Sequence, residues 1–381
     1  MFVRPALALF AASLLAAAAC GDDGGGGPDA GVAPDLSVEA AGPYPVGTVD
    51  VVLADAARSR DLHTQAWFPA EASAAAAAAT GFGYAEFEAE PNSTTYADLL
   101  ATAAPTCATR TAHAARGAAP AAGSFPLIVV SHCHECTRFS TATVAERLAS
   151  HGFVVVAVEH TGNTLWNKQA GDGLPLDTTT LATRVADVEL ALDAALGATS
   201  TLPPAVVAAI DREHVGMLGH SFGAVTAGMV AQADARVDAA LALAAPMENP
   251  LLPGVTVASI AKPLGFLLAV EDNSITELGN NLIRGNYDKA TAGAWRGEVA
   301  DAGHWSVSDL VGLVEGFAPG CGAGTRQTDG QPFTYLDAAT GRAITAAYAT
   351  AFFAAYLKGE AGALAYLDVA RPSPTVTVTR K

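Results

Sequence analysis

Runs of consecutive apolar residues recur along the chain: Pro126-Leu127-Ile128-Val129-Val130-Ser131, Phe153-Val154-Val155-Val156-Ala157-Val158, residues 215–218, 237–243, 264–270 and 295–300. Runs this short and this continuous read as strands buried on both faces. Between them the period changes. Residues 141–150 carry Val144, Leu148 and alanines on one face, ended by His151-Gly152, and glycine just past a helix is a stop signal. Residues 181–196 put Leu181, Val185, Val188, Leu192 and Leu196 on one face. Residues 224–233 form a small-residue helix, and helices are expected at 306–317 and 338–357. Strands alternating with helices predict an α/β protein, with a mainly parallel sheet covered by helices on both faces. Ligands then bind beyond the carboxyl ends of the strands.

Ahead of this regular part, residues 49–53 and 62–69 read as an antiparallel hairpin around a polar turn. Residues 71–125 read as a variable excursion with an alanine run and a short helix near Tyr96. Residues 163–180 read as a polar loop containing Trp166.

The amino end changes the setting. Arg4 precedes an apolar run too short for an ordinary membrane span, which ends in Ala17-Ala18-Ala19-Cys20-Gly21. Residues 1–20 read as a lipoprotein signal peptide with Cys20 as the lipidated residue, ordinary secretion being the alternative. Residues 21–42 read as a flexible Gly/Pro/Asp tether, and 43–381 as one catalytic domain. The expectation is an exported bacterial lipoprotein of the cell envelope, touching the membrane through its anchor only. A net charge of −17 argues against a nucleic-acid partner, whose phosphates need a basic face. With Cys20 lipidated, Cys107, Cys133, Cys136 and Cys321 remain, and an oxidising compartment permits disulfides. Three pairings are open; we favour Cys133–Cys136 with Cys107–Cys321.

The chemistry concentrates in Val215-Gly216-Met217-Leu218-Gly219-His220-Ser221-Phe222-Gly223-Ala224. A strand, Gly-x-Ser-x-Gly and a helix in that order make a nucleophile elbow, which lifts the Ser221 hydroxyl above the sheet. A serine hydroxyl needs a base, and the chain order expected with such an elbow is Ser, acid, His. His304, in Asp301-Ala302-Gly303-His304-Trp305-Ser306, is the only histidine after Ser221. Asp272, just past the 264–270 strand, is the expected acid; Glu271 and Glu248 are its rivals. The oxyanion donors are expected at the backbone N–H groups of Phe222 and His134. Cys133-His134-Glu135-Cys136 has no second Cys-x-x-Cys to complete a zinc site, so no metal is expected. Trp166 and Trp305 are candidates to line the pocket.

The 126–132 segment, Ala149-Ser150-His151-Gly152-Phe153-Val154-Val155, Gly219-His220-Ser221-Phe222-Gly223 and Gly303-His304-Trp305-Ser306 together resemble α/β-hydrolases. The likeness is to the platelet-activating-factor acetylhydrolase and dienelactone-hydrolase-like esterases, over about residues 42–318. It implies carboxylic-ester hydrolysis without a cofactor, on a small-molecule or lipid ester. Three departures stand out. His132-Cys133 replaces the usual His-Gly. Ser221 stands where dienelactone hydrolases carry cysteine. The place after the strand that follows the elbow helix, where acetylhydrolase-type relatives carry the acid, is Ala244-Ala245, which moves the acid to Asp272. The expected activity is that of a serine esterase; the alternative is a catalytically silent, hydrolase-shaped binding protein.

Overall fold

The computed structural model describes residues 32–197, 201–291, 293–371 and 375–381. The expected signal peptide, Cys20 and most of the tether lie outside the described residues. The tether ends sooner than expected. Leu36–Glu39 forms a 3-10 turn capped by Asp35, and Val38 is buried in the core. Val38 is an isolated apolar residue in a Gly/Pro/Asp-rich stretch, so composition hid the packed turn.

Ten strands form one sheet: β1 (Val46–Asp55), β2 (Arg60–Pro69), β3 (Ala115–Arg116), β4 (Phe125–Ser131), β5 (Val154–Val158), β6 (Ile210–His220), β7 (Ala239–Leu243), β8 (Leu264–Ala269), β9 (Trp295–Val299) and β10 (Val376–Arg380). Their order is β10-β9-β8-β7-β6-β4-β5-β2-β1-β3. The strands from β9 to β5 run parallel, while the β1–β2 hairpin and β10 add antiparallel edges. Alternate residues enter opposite layers. Ile128 and Val130 join one core with α1 (Ala142–Ser150) and α5 (Ala338–Leu357). Leu127 and Val129 join the other with α2 (Thr178–Leu196), α3 (Phe222–Ala233) and α4 (Thr276–Lys289).

Two elements escaped the hydrophobic pattern. The buried face of α4 is Gly279, Asn280, Ile283, Asn286 and Tyr287. Its buried asparagines bond toward the sheet side: Asn280 donates to the Ala269 carbonyl at 3.1 Å, and Asn286 to that of Glu248 at 3.1 Å. Edge strand β10 buries Val376 but leaves most of its other side chains at the surface.

The helix expected at 306–317 does not form; only Glu315–Phe317 makes a 3-10 turn. Val307, Leu310, Val311 and Leu313 are all buried, so the segment is a wedge with no polar face. Its polar groups bond outward instead. The Asp309 carboxylate accepts from Thr143 N at 2.9 Å and the Ser308 hydroxyl donates to the Ser140 carbonyl at 2.7 Å. Gly312 sits at φ +72°. The 71–125 excursion holds this wedge from the other side: Cys107 is disulfide-bonded to Cys321, and Thr109 N donates to the Asp309 carbonyl at 2.9 Å.

Asp309→Ala leaves the Thr143 N–H buried without a partner. It is expected to lower the unfolding free energy by about 1–3 kcal/mol, measured by urea denaturation with an unchanged m-value.

Candidate active site

Ser221 joins β6 to α3 with φ +55° and ψ −119°. A non-glycine residue in that region costs about 1–3 kcal/mol and persists only where its surroundings over-determine it. Here they do. Ser221 N donates to the Leu243 carbonyl at 3.0 Å. A Cβ at Gly219 would collide with the backbone of Gly223, and one at Gly223 with the carbonyls of Ser131 and His132. Both glycines are therefore required by close approach of the backbone.

The three residues expected to act together meet at this turn. His304 Nε2 lies 2.8 Å from Ser221 Oγ, and His304 Nδ1 lies 2.7 Å from Asp272 Oδ2. A carboxylate only accepts, so Nδ1 carries the proton and Nε2 accepts from the serine hydroxyl. The other Asp272 oxygen accepts from Ser274 N and Ile275 N, both at 3.0 Å. His304 and Asp272 are buried. The rival acids point elsewhere. Glu271 accepts from Arg326 Nη1 and Gln327 N, and Glu248 from Lys289 Nζ and Val257 N. His220 lies behind the imidazole, its Nε2 donating to the His304 carbonyl at 3.2 Å. Burial holds the His220 pKa well below its ordinary value.

On the opposite side of Ser221, the 132–136 loop is drawn tight by a Cys133–Cys136 disulfide. The Cys107–Cys321 bridge is the second expected pair. Glu135 takes φ +55° and pairs with Lys168 at 2.5 Å. Phe222 opens α3, where first-turn N–H groups have no intrahelical acceptor. The His134 ring packs edge-on against the Phe222 ring at 6.0 Å, so the two residues expected to supply oxyanion donors are neighbours. Asn163 Nδ2 lies 2.7 Å from His134 Nδ1, and Arg184 Nη1 donates to Asn163 Oδ1. Arginine only donates, so the Asn163 amide nitrogen faces His134 and donates to it. Among the described residues, no cluster of three metal-ligating side chains occurs.

A cleft of about 260 Å³ opens at Ser221. Leu176, Val225, Leu252, Ile275 and Leu278 give it apolar walls. The two tryptophans are not among its lining residues, contrary to the sequence expectation. Trp305 is buried, stacked on Phe317 at 3.9 Å and edge-on to His304. Trp166 packs on Tyr96 and donates to Glu159 Oε1 at 2.8 Å. Each is held by internal packing, and the leucines of the 176 loop and α4 take the place expected for them.

The family model "Platelet-activating factor acetylhydrolase, isoform II" matches residues 34–167, and "PET hydrolase-like" matches residues 116–277. A solved ferulic acid esterase from Streptomyces cinnamoneus is similar at 26% identity and a TM-score of 0.66, over 88% of this chain and 96% of that one. The chain is an α/β-hydrolase of the carboxylic-ester hydrolase group. No curated protein sequence matches the hydrolase. The PET hydrolase-like match includes Ser221 and Asp272 of the hydrolase, while His304 lies beyond both matched stretches.

Buried His220 stays neutral in the folded hydrolase, whereas the unfolded chain protonates it near its ordinary pKa of 6.5. Its folded pKa is the lower one, so its contribution is fully present above about 6.5 and is lost as pH falls from there. The stability advantage of wild type over His220→Gln is expected to shrink by up to about 1.4 kcal/mol per pH unit below that point. Urea unfolding of both proteins between pH 7.5 and 5 measures it; a pH-independent difference contradicts the assignment.

Proposed function

We propose that this hydrolase is a serine esterase working through an acyl-enzyme. The hydrogen-bonded line Ser221–His304–Asp272 at the carboxyl end of the sheet carries the reading. Ser221 Oγ attacks the ester carbonyl as His304 Nε2 takes its proton. His304 then gives that proton to the leaving alcohol. Asp272 keeps the imidazole in the Nδ1–H tautomer and stabilises the imidazolium that forms. The N–H groups of Phe222 and His134 receive the oxyanion. Water, activated by the same histidine, cleaves the acyl-enzyme. The apolar walls of the cleft favour an ester with an apolar group on one side of the carbonyl.

Export and anchoring through Cys20 belong to the same proposal. The apolar run ending in Ala-Ala-Ala-Cys-Gly supports them, and so do two disulfides that fit an oxidising compartment.

The test is a p-nitrophenyl ester series from acetate to palmitate. Ser221→Ala is expected to lower kcat by at least about 10⁴-fold. Asp272→Asn, which upsets the imidazole tautomer, is expected to lower it by about 10⁴-fold with little change in KM. A fluorophosphonate should label the wild type and leave Ser221→Ala untouched. Full turnover in Ser221→Ala overturns the mechanism. No turnover on any ester, together with no labelling, returns the reading to a hydrolase-shaped binding protein.

A further inference from the structure

Arg184 projects from α2 and has no exposed surface. Among the described residues its guanidinium makes four hydrogen bonds: Nη1 to Asn163 Oδ1 at 2.5 Å, Nη2 to Ser131 Oγ at 3.1 Å and to the His132 carbonyl, and Nε to Thr226 Oγ1 at 3.4 Å. All four acceptors are neutral. The carboxylate one turn along the helix, Asp187, is occupied by Arg58 Nη1 at 2.7 Å, Arg60 Nη2 at 3.0 Å and His160 Nδ1 at 3.1 Å. Burial brings the Arg184 pKa down to about 9, which still leaves a cation at neutral pH.

Burying a cation without a bonded carboxylate costs several kcal/mol, and apolar residues of similar volume often hold a fold equally well. The groups that this cation touches give a reason for it. Its Cζ lies 4.7 Å from the centre of the Phe222 ring, and Phe222 directly follows Ser221. Its Nη2 grips the carbonyl of His132, at the root of the disulfide loop. Its Nη1 orients Asn163, which in turn holds the His134 ring. One side chain therefore contacts both segments that flank the serine. Those segments leave different strands, β4 and β6, and their donors must converge on one oxygen within a few tenths of an ångström.

We propose that Arg184 is the positioning residue of the oxyanion hole, fixing Phe222 and the 132–136 loop relative to one another and setting a positive potential beneath them. The inference rests on the serine-esterase reading. A preorganised cation held against both donor-bearing segments stabilises the charge that develops on the carbonyl oxygen without reorganising during the reaction.

The experiment uses the intact protein with Arg184→Met, Arg184→Lys and Asn163→Ala, beside wild type and Ser221→Ala. In folded Arg184→Met, verified by circular dichroism and thermal unfolding, kcat is expected to fall about 100-fold with KM within about threefold. Lysine keeps the charge but not the fork, and is expected to recover about tenfold of that loss. Affinity for a trifluoromethyl ketone, which forms the tetrahedral oxyanion on the serine, should fall by the same factor as kcat/KM. If Arg184→Met does not fold, Asn163→Ala decides: it keeps Arg184 but frees His134, and kcat is expected to fall about tenfold at unchanged KM. A folded Arg184→Met or Asn163→Ala with kcat within threefold of wild type overturns the inference. So does a loss confined to KM with ketone affinity unchanged. Wild-type turnover that survives Ser221→Ala overturns the esterase reading itself, a separate result.

Discussion

The backbone at Ser221 is held at φ +55° between a strand and a helix, and this conformation sets what its neighbours can be. The turn closes only because Gly219 and Gly223 offer no Cβ to the backbones that press on them. The second contact is with the carbonyls of Ser131 and His132, so the same missing atom that lets α3 begin also brings β4 and its loop against the serine. The strain is of order 1–3 kcal/mol. It is carried by a sheet with apolar layers on both faces, and removing those layers from water stabilises the fold by more than the turn costs.

From that turn inward the site is a sequence of fixed polar contacts among buried side chains. Asp272 commits one oxygen to backbone amides and the other to His304. The histidine loop has no regular secondary structure to stiffen it. It borrows rigidity from Asp309, from Ser306, and from the contact of Gly303 with the 319–320 backbone. Polar side chains here do what helix and sheet do elsewhere: they give buried backbone groups of the loop fixed partners.

Much of this was legible in the sequence. Consecutive apolar residues marked the central strands, and a single downstream histidine left one choice of base. Of the adjacent carboxylates just past the 264–270 strand, the second, Asp272, is the one that faces it. What stayed hidden shares a physical cause, since hydrophobic periodicity reports apolar burial only. The inner face of α4 is lined by asparagines that bond to backbone carbonyls, so no stripe announced it. The 306–317 segment has apolar residues at helical intervals, but residues 306–311 are buried all round and the Ser308 and Asp309 side chains bond to α1 and the turn before it. Arg184 lies inside a helix read from its leucines and valines. Its role depends on contacts with residues 131, 132, 163 and 222, which no local pattern connects. The tryptophans misled for the converse reason: a large aromatic beside a reactive residue is as readily its backing as its pocket.

The Cys107–Cys321 bridge gives the irregular 71–125 stretch a part it would not have as surface decoration. With the Thr109–Asp309 bond, it fastens that stretch at two points to the arm that follows His304. The stretch and the arm lie some two hundred residues apart in the chain, yet mechanically they are a single bracket. An engineer who trimmed the stretch to reach a minimal enzyme would also be cutting the mounting of the base. A chimera that exchanged either half with a relative would have to carry the other half along.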